Sequence, residues 1–195
     1  MKKIEGLITA LNLKDEKRTG WQLRNIEDPE SVADHSWGVA LLTLVYSEEV
    51  GINEEKALKM ALVHDIAEAE TGDFVTRKVD DKQEIEKEEK EKLEKEAVEK
   101  LSGLLGEELE EIWMEYEERE TDEAKFVKDM DLIDMCLTAL KYEKENRYNP
   151  EEENEDFQEY ENLDEFFATT KPRITTLKGQ KLFQEIKDRY QKAKQ

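Results

Sequence analysis

The chain has 195 residues, 42% of them charged, with 51 Asp and Glu against 30 Lys and Arg and a net charge of −21. Nucleic-acid polymers and anionic membrane surfaces are gripped by basic stripes, and a chain this acidic offers none. The single cysteine, Cys136, excludes an internal disulfide framework, and the start of the chain carries no secretory leader pattern, so the expected location is the cytoplasm.

With 8 Gly, 3 Pro and abundant Glu and Lys, the composition favours helices, and the length suits one domain spanning 1–195. In chain order, "KIEGLITALNL" reads as a short first helix and "KDEKRTGWQLRNIEDPE" as a connecting loop. Asp28-Pro29-Glu30 has the form of an N-cap, a first-turn proline and a first-turn acid, which predicts a helix over about 30–49 ending near Gly51. Asn53 caps "EEKALKMALVHDIAEAE", which runs to Thr71-Gly72, and "DFVTRKVDDK" is a loop. From about 82 to 104 the chain is Glu and Lys with a thin apolar stripe of Ile85, Leu93, Ala97 and Leu101, which predicts a solvated helix resting on the domain. "GEELEEIWMEYEERE" is a further amphipathic helix, and Thr121 opens another that runs to about Asn146. An acidic loop over about 147–164 precedes a last helix over about 174–192, and no stretch reads as a strand. The fold class expected is all-α, a single helical bundle.

Three helices read as apolar nearly all round and therefore central: those holding "HSWGVALLTLVY", "ALKMALVHDIA" and "AKFVKDMDLIDMCLTAL". Each carries groups that are costly to bury alone: His35 beside Asp34, His64 with Asp65, and Asp131 with Asp129 and Asp134 nearby. Taken singly, each is ordinarily a hydrogen-bonded histidine or a helix cap. Taken together they include both histidines of the chain, and no basic residue lies between Ala61 and Asp73 to pair with Asp65. A divalent ion removes the cost, and imidazole with carboxylate suits Zn, Mn, Co, Fe or Ni rather than Ca. Neighbouring helical residues point about 100° apart, so His64 and Asp65 can flank one ion, with Glu68 on the face of His64. Gly72 then permits a turn that presents Asp73 at the same mouth.

"RTGW" with "RN", then "PESVADHSWGVA", "ALVHDIAEAETGD" and "AKFVKDMD" together resemble the YfbR-like HD-domain 5′-deoxynucleotidases over about 7–142, where the HD-domain core is expected. The resemblance implies a metal-dependent phosphomonoesterase that cleaves deoxyribonucleoside 5′-monophosphates. It implies His35, His64, Asp65 and Asp131 as ligands of a divalent metal ion (Co, Mn, Zn, Ni, Fe or Mg). It also implies Glu68 beside the attacking water, Arg18 orienting the phosphate, Trp21 against the deoxyribose, and Asp73, Phe74, Val75 and Thr76 lining the sugar pocket. In some relatives the arginine and tryptophan are adjacent, whereas Thr19 and Gly20 stand between them here. A nucleotide is the expected partner, and a homodimer the expected assembly. Trp113, Met114 and Tyr116 either serve that interface or pack into the chain's own core. Two alternatives stay open: an HD phosphohydrolase acting on a triphosphate or cyclic dinucleotide, and a metal-stabilised binding module without turnover. A triphosphate calls for more cations than the obvious ones, Lys17, Arg18, Arg24 and Arg77 or Lys78.

Overall fold

A computed structural model describes residues 2–75, 85–149 and 160–194. Among these the architecture is all-helical, and the nearest approach to a strand is an isolated bridge between Lys17 and Ser31. The chain runs through α1 (Lys2–Ala10), a 3-10 turn (Leu11–Lys14), α2 (Thr19–Leu23), α3 (Val32–Val50), α4 (Glu54–Val63) and α5 (Glu68–Thr71). It continues through α6 (Lys87–Leu105), α7 (Glu108–Glu118), α8 (Asp122–Glu145), α9 (Asp164–Thr170) and α10 (Leu177–Ala193).

The 24-residue α8 is the axis of the bundle, and α3, α4, α7, α9 and α10 pack around it. Its apolar residues Phe126, Met130, Ile133 and Cys136 are almost inaccessible to solvent, as are Asp129, Asp131 and Asp134 on the same helix. Thr121 caps its first turn and Asn146 ends it in the left-handed conformation, as the sequence predicts. The main core extends to Phe183, Ile186 and Tyr190, so α10 is an integral wall of the bundle.

Several local expectations change. α3 starts at Val32, because Ser31 and Asp34 form a reciprocal capping box, whereas Asp28 lies outside the helix at φ 46°. The loop before it contains α2. The helix carrying the His-Asp pair is not continuous: it ends at Val63, passes through tight turns and resumes as α5. Between the acidic segment and the last helix stands α9, too short to announce itself by periodicity; residues 150–159 lie outside those described. α3 is not buried all round, for Trp37, Leu41, Leu44 and Val45 face outward at 43–67% exposure. Trp113 and Tyr116, one possible interface, instead pack inward at 5% and 1% exposure. Among the described residues no helix is long and apolar enough to cross a membrane.

Candidate active site

The site forms where α3, α8 and the end of α4 meet. On α3, His35 lies one residue beyond the capping box, so the cap that starts the helix also sets its direction into the bundle. His64 ends α4, with Nδ1 2.9 Å from the Ala61 carbonyl. Beyond it the backbone bonds shorten to i→i−3: Ile66 N–H to Val63 at 3.0 Å, Glu68 N–H to Asp65 at 3.0 Å and Glu70 N–H to Ala67 at 2.9 Å. This 3-10-like tightening turns Asp65 toward His64 and sinks Glu68 to 5% exposure. Asp131 reaches the same point from α8.

The Nε2 atoms of His35 and His64 face one another at 3.4 Å. Asp65 Oδ2 is 3.2 Å from His64 Nε2 and 3.8 Å from His35 Nε2, and Asp131 Oδ1 is 3.2 Å from His35 Nε2. One atom each from His35, His64 and Asp131 falls within a 4.8 Å cluster. Two nitrogens bound at about 2.0–2.1 Å to one tetrahedral ion stand roughly 3.3 Å apart. The spacing of the two imidazoles therefore fits a shared divalent ion, and two imidazoles with two carboxylates are a fitting donor set. The geometry does not choose among the metals.

The far sides of these groups are also engaged. His35 Nδ1 is 2.8 Å from Asp134 Oδ2. The Tyr116 hydroxyl donates to Asp131 Oδ2 at 2.9 Å, and Lys128 Nζ donates to the same oxygen at 2.7 Å. Arg18, at the start of α2, places Nη1 3.2 Å from Asp65, 3.6 Å from Asp73 and 4.0 Å from Glu68. Glu68 Oε2 is buried and accepts no hydrogen bond.

Charges follow this geometry. Burial pushes the Glu68 carboxyl well above its usual range, and Asp65 and Asp73 push it further. Burial works the same way on Asp65 and Asp131, but the histidines with Arg18 at the first and Lys128 at the second outweigh it, holding both low. Burial and Arg18 oppose a charge on His35, yet Asp131 and Asp134 at its two ring nitrogens raise its pKa to about 10. Arg18 stays charged because Asp73, Asp65 and Glu68 offset its burial.

Arg18, His64, Asp65, Glu68, Asp73 and Asp131 line a cavity of about 620 Å³, within the usual size for small-molecule sites, with His35 buried behind them. Phe74 and Val75 line it, whereas Thr76 lies outside the described residues. Trp21 contributes to its wall but is only 1% exposed: Nε1 donates to Glu30 at 2.9 Å and the ring lies 4.0 Å from that of Phe166. The two residues between Arg18 and Trp21 have clear uses. Thr19 holds Asp73 twice, through its N–H to Oδ2 and its hydroxyl to the Asp73 carbonyl, both at 2.6 Å. At Gly20 a side-chain carbon would come within 3.3 Å of Phe166 and 3.6 Å of Val75.

Of the cations anticipated from sequence, Arg18 lines the cavity. Lys17 binds Asp28 and the Pro29 carbonyl, and Arg77 and Lys78 lie outside the described residues. The cavity also receives Lys90 from the supposedly solvated α6, Lys128 from α8 and Arg173 after α9. Lys90 was detectable only as one Lys among many; its Nζ donates to the Phe74 carbonyl at 3.0 Å.

The HD domain family matches residues 10–173. The "5′-deoxynucleotidase hdd1" of Schizosaccharomyces pombe is 38% identical over 148 residues, 74% of this chain and 73% of that protein. The "5′-deoxynucleotidase HDDC2" of Dictyostelium discoideum is 42% identical over 143 residues, 68% and 73% of the two chains. Among solved structures, the PH0347 protein of Pyrococcus horikoshii superposes with a TM-score of 0.73 at 34% identity, covering 97% of this chain and 99% of that one. With the paired histidines of α3 and α4, the Asp of α8 and these relatives together, the chain belongs to the HD domain family.

Proposed function

We propose that this chain is a metal-dependent 5′-deoxynucleotidase, hydrolysing deoxyribonucleoside 5′-monophosphates to deoxynucleoside and phosphate. The observation that carries the reading is the convergence of the buried His35 with His64, Asp65 and Asp131, beside a buried Glu68 whose Oε2 accepts no hydrogen bond and a charged Arg18, the last five lining one cavity. The relatives named 5′-deoxynucleotidases support the substrate class.

His35, His64, Asp65 and Asp131 would hold the divalent ion. Such an ion supplies positive charge against the dianionic phosphate and lowers the pKa of water. Arg18 orients the phosphate with its planar fork, exchanging part of its contact with Asp65 for phosphoryl oxygens. Glu68, buried beside Asp65, takes the proton of the attacking water as the new P–O bond forms and returns it to the 5′-oxygen as the P–O bond to that oxygen breaks, so the deoxynucleoside leaves as the alcohol and Glu68 is restored. Asp73 is held by Thr19 at Oδ2, and Oδ1, 3.6 Å from Arg18 Nη1, accepts from a sugar hydroxyl. Trp21, Phe74 and Val75 line the sugar pocket, with Trp21 acting as a rigid backing rather than an open platform. The chain pairs as a homodimer through the outward stripe of Trp37, Leu41, Leu44 and Val45.

A panel of deoxyribo- and ribonucleoside monophosphates and deoxynucleoside triphosphates, supplied with Co, Mn, Zn or Mg and scored for phosphate and polyphosphate release, tests the assignment. Phosphate from deoxy monophosphates before all others is expected. Release of pyrophosphate or triphosphate as the main product would move the chain to the triphosphate class. No turnover with any pairing would leave the binding-module reading.

A further inference from the structure

α8 buries three aspartates within two turns, and their surroundings separate their tasks. Asp129 is structural: Oδ1 accepts from the Thr175 N–H at 3.0 Å, and Oδ2 from the Thr176 N–H at 2.7 Å and the Thr176 hydroxyl at 2.6 Å, fixing the start of α10. Asp131 faces His35 Nε2. Asp134, one turn further along the same face, faces the other ring nitrogen of the same histidine, with Oδ2 2.8 Å from Nδ1.

Asp134 cannot share an ion with His64, because it lies on the side of the His35 ring away from Nε2. Its place nevertheless has been cleared for it. His35 and Gly38 share a face of α3, and a side-chain carbon at Gly38 would lie 2.1 Å from Asp134 Oδ1 and 2.8 Å from Asp134 Cγ. Such a distance is impossible, so only glycine at residue 38 admits this carboxylate. The exposed fraction of the pair is 0% for His35 and 11% for Asp134, so little water competes for the contact. His64 differs: its Nδ1 meets only the neutral carbonyl of Ala61.

We propose that Asp134 is a positioning residue of the metal centre, fixing the tautomer and ring plane of His35 so that Nε2 is offered to the ion, and that Gly38 is the notch that admits it. This rests on the reading of His35 as a ligand. A carboxylate accepting the Nδ1 proton excludes the tautomer that would carry hydrogen on Nε2. It also makes the imidazole a stronger donor. The two histidines are therefore unequal, with His35 the more tightly oriented of the pair. Neither Asp134 nor Gly38 touches substrate in this scheme.

The test is metal affinity, read by calorimetric titration of metal-stripped full-length chain with Co or Zn. Asp134→Asn and Asp134→Ala are expected to weaken binding on the order of 10- to 100-fold, the range for loss of such a partner. Gly38→Ala removes no charge and no ligand, yet is expected to weaken binding in the same range by displacing Asp134. In zinc-loaded protein, the nitrogen-15 signature of a protonated Nδ1 on His35 should be present in wild type and altered in all three variants. His35→Ala serves as the reference. Wild-type affinity in His35→Ala would overturn the ligand reading itself. A large loss in His35→Ala with wild-type affinity and an unchanged His35 signature in Asp134→Asn and Gly38→Ala would overturn this proposal alone. If Asp134→Ala fails to fold, the other two variants still decide.

Discussion

Replacing Glu68 by glutamine separates chemistry from folding. The carboxylate is 5% exposed, its Oε2 accepts no hydrogen bond, and its nearest cation, Arg18 Nη1, is 4.0 Å away. At an effective dielectric of about 20, that separation gives an attraction of roughly 4 kcal/mol. Burial and the repulsion of Asp65 and Asp73 exceed it, because the pKa of Glu68 ends well above the usual range. Being raised, Glu68 favours the fold at acid pH, and that contribution is lost as pH rises through its folded value. The fold thus gains nothing from an ionised Glu68 at neutral pH, whereas proton transfer requires it. Glu68→Gln should leave the metal content unchanged and the melting temperature at neutral pH no lower than wild type. It should lower kcat by about 10²–10⁴-fold, which is roughly 3–5 kcal/mol of barrier. The assay is phosphate release from a deoxynucleoside monophosphate at saturating metal, with metal content and thermal unfolding measured on the same preparation. A kcat within a few-fold of wild type at full metal content would remove Glu68 from the reaction.

Two further outcomes follow from the same geometry. In the metal-free chain Asp131 and Asp134 hold His35 protonated to about pH 10, so its contribution to stability is complete below the ordinary histidine value of about 6.5 and is lost as pH rises through about 10. Metal binding near pH 7.5 must therefore expel a proton, and calorimetry in buffers of different ionisation enthalpy should register that release; binding heats independent of buffer would contradict it. On the surface of α3, Trp37→Glu with Leu44→Lys should convert a dimer to a monomer in analytical ultracentrifugation with folding intact, and a wild-type assembly that is already monomeric would discard that interface.

Much of this was legible because chemistry and burial conflicted in the sequence. His35, His64 and Asp131 stood out as polar groups in apolar helices, and the structure brings their ligand atoms within 4.8 Å of one another. The caps at Asn53 and Thr121 and the stop at Gly51 were also readable, since each rests on a local bond or a left-handed φ. What was illegible depends on tertiary partners. Ser31 rather than Asp28 starts α3 because Asp34 closes the box, a reciprocal pair hidden behind an equally plausible Asp-Pro-Glu. The i→i−3 turns at residues 64–70 leave the apolar pattern unchanged, so periodicity predicted one unbroken helix. Lys90 and Lys128 resemble every other surface lysine until the fold aims them at the cavity, and Thr19 gains its role only from the approach of Asp73. The outward stripe of α3 reads as core in the sequence because Trp37, Leu41, Leu44 and Val45 are as apolar as buried residues.

The central claim is that one divalent ion, held by His35, His64, Asp65 and Asp131, makes this cavity a phosphomonoesterase. Its most direct test is to strip the chain of metal and restore Co or Mn in steps while following phosphate release from a deoxynucleoside monophosphate, beside the Asp65→Ala variant. The account predicts no activity without metal, a rise that saturates near one ion per chain, and neither tight binding nor turnover in Asp65→Ala. Full activity in the stripped chain, or wild-type metal content and turnover in the variant, would contradict it.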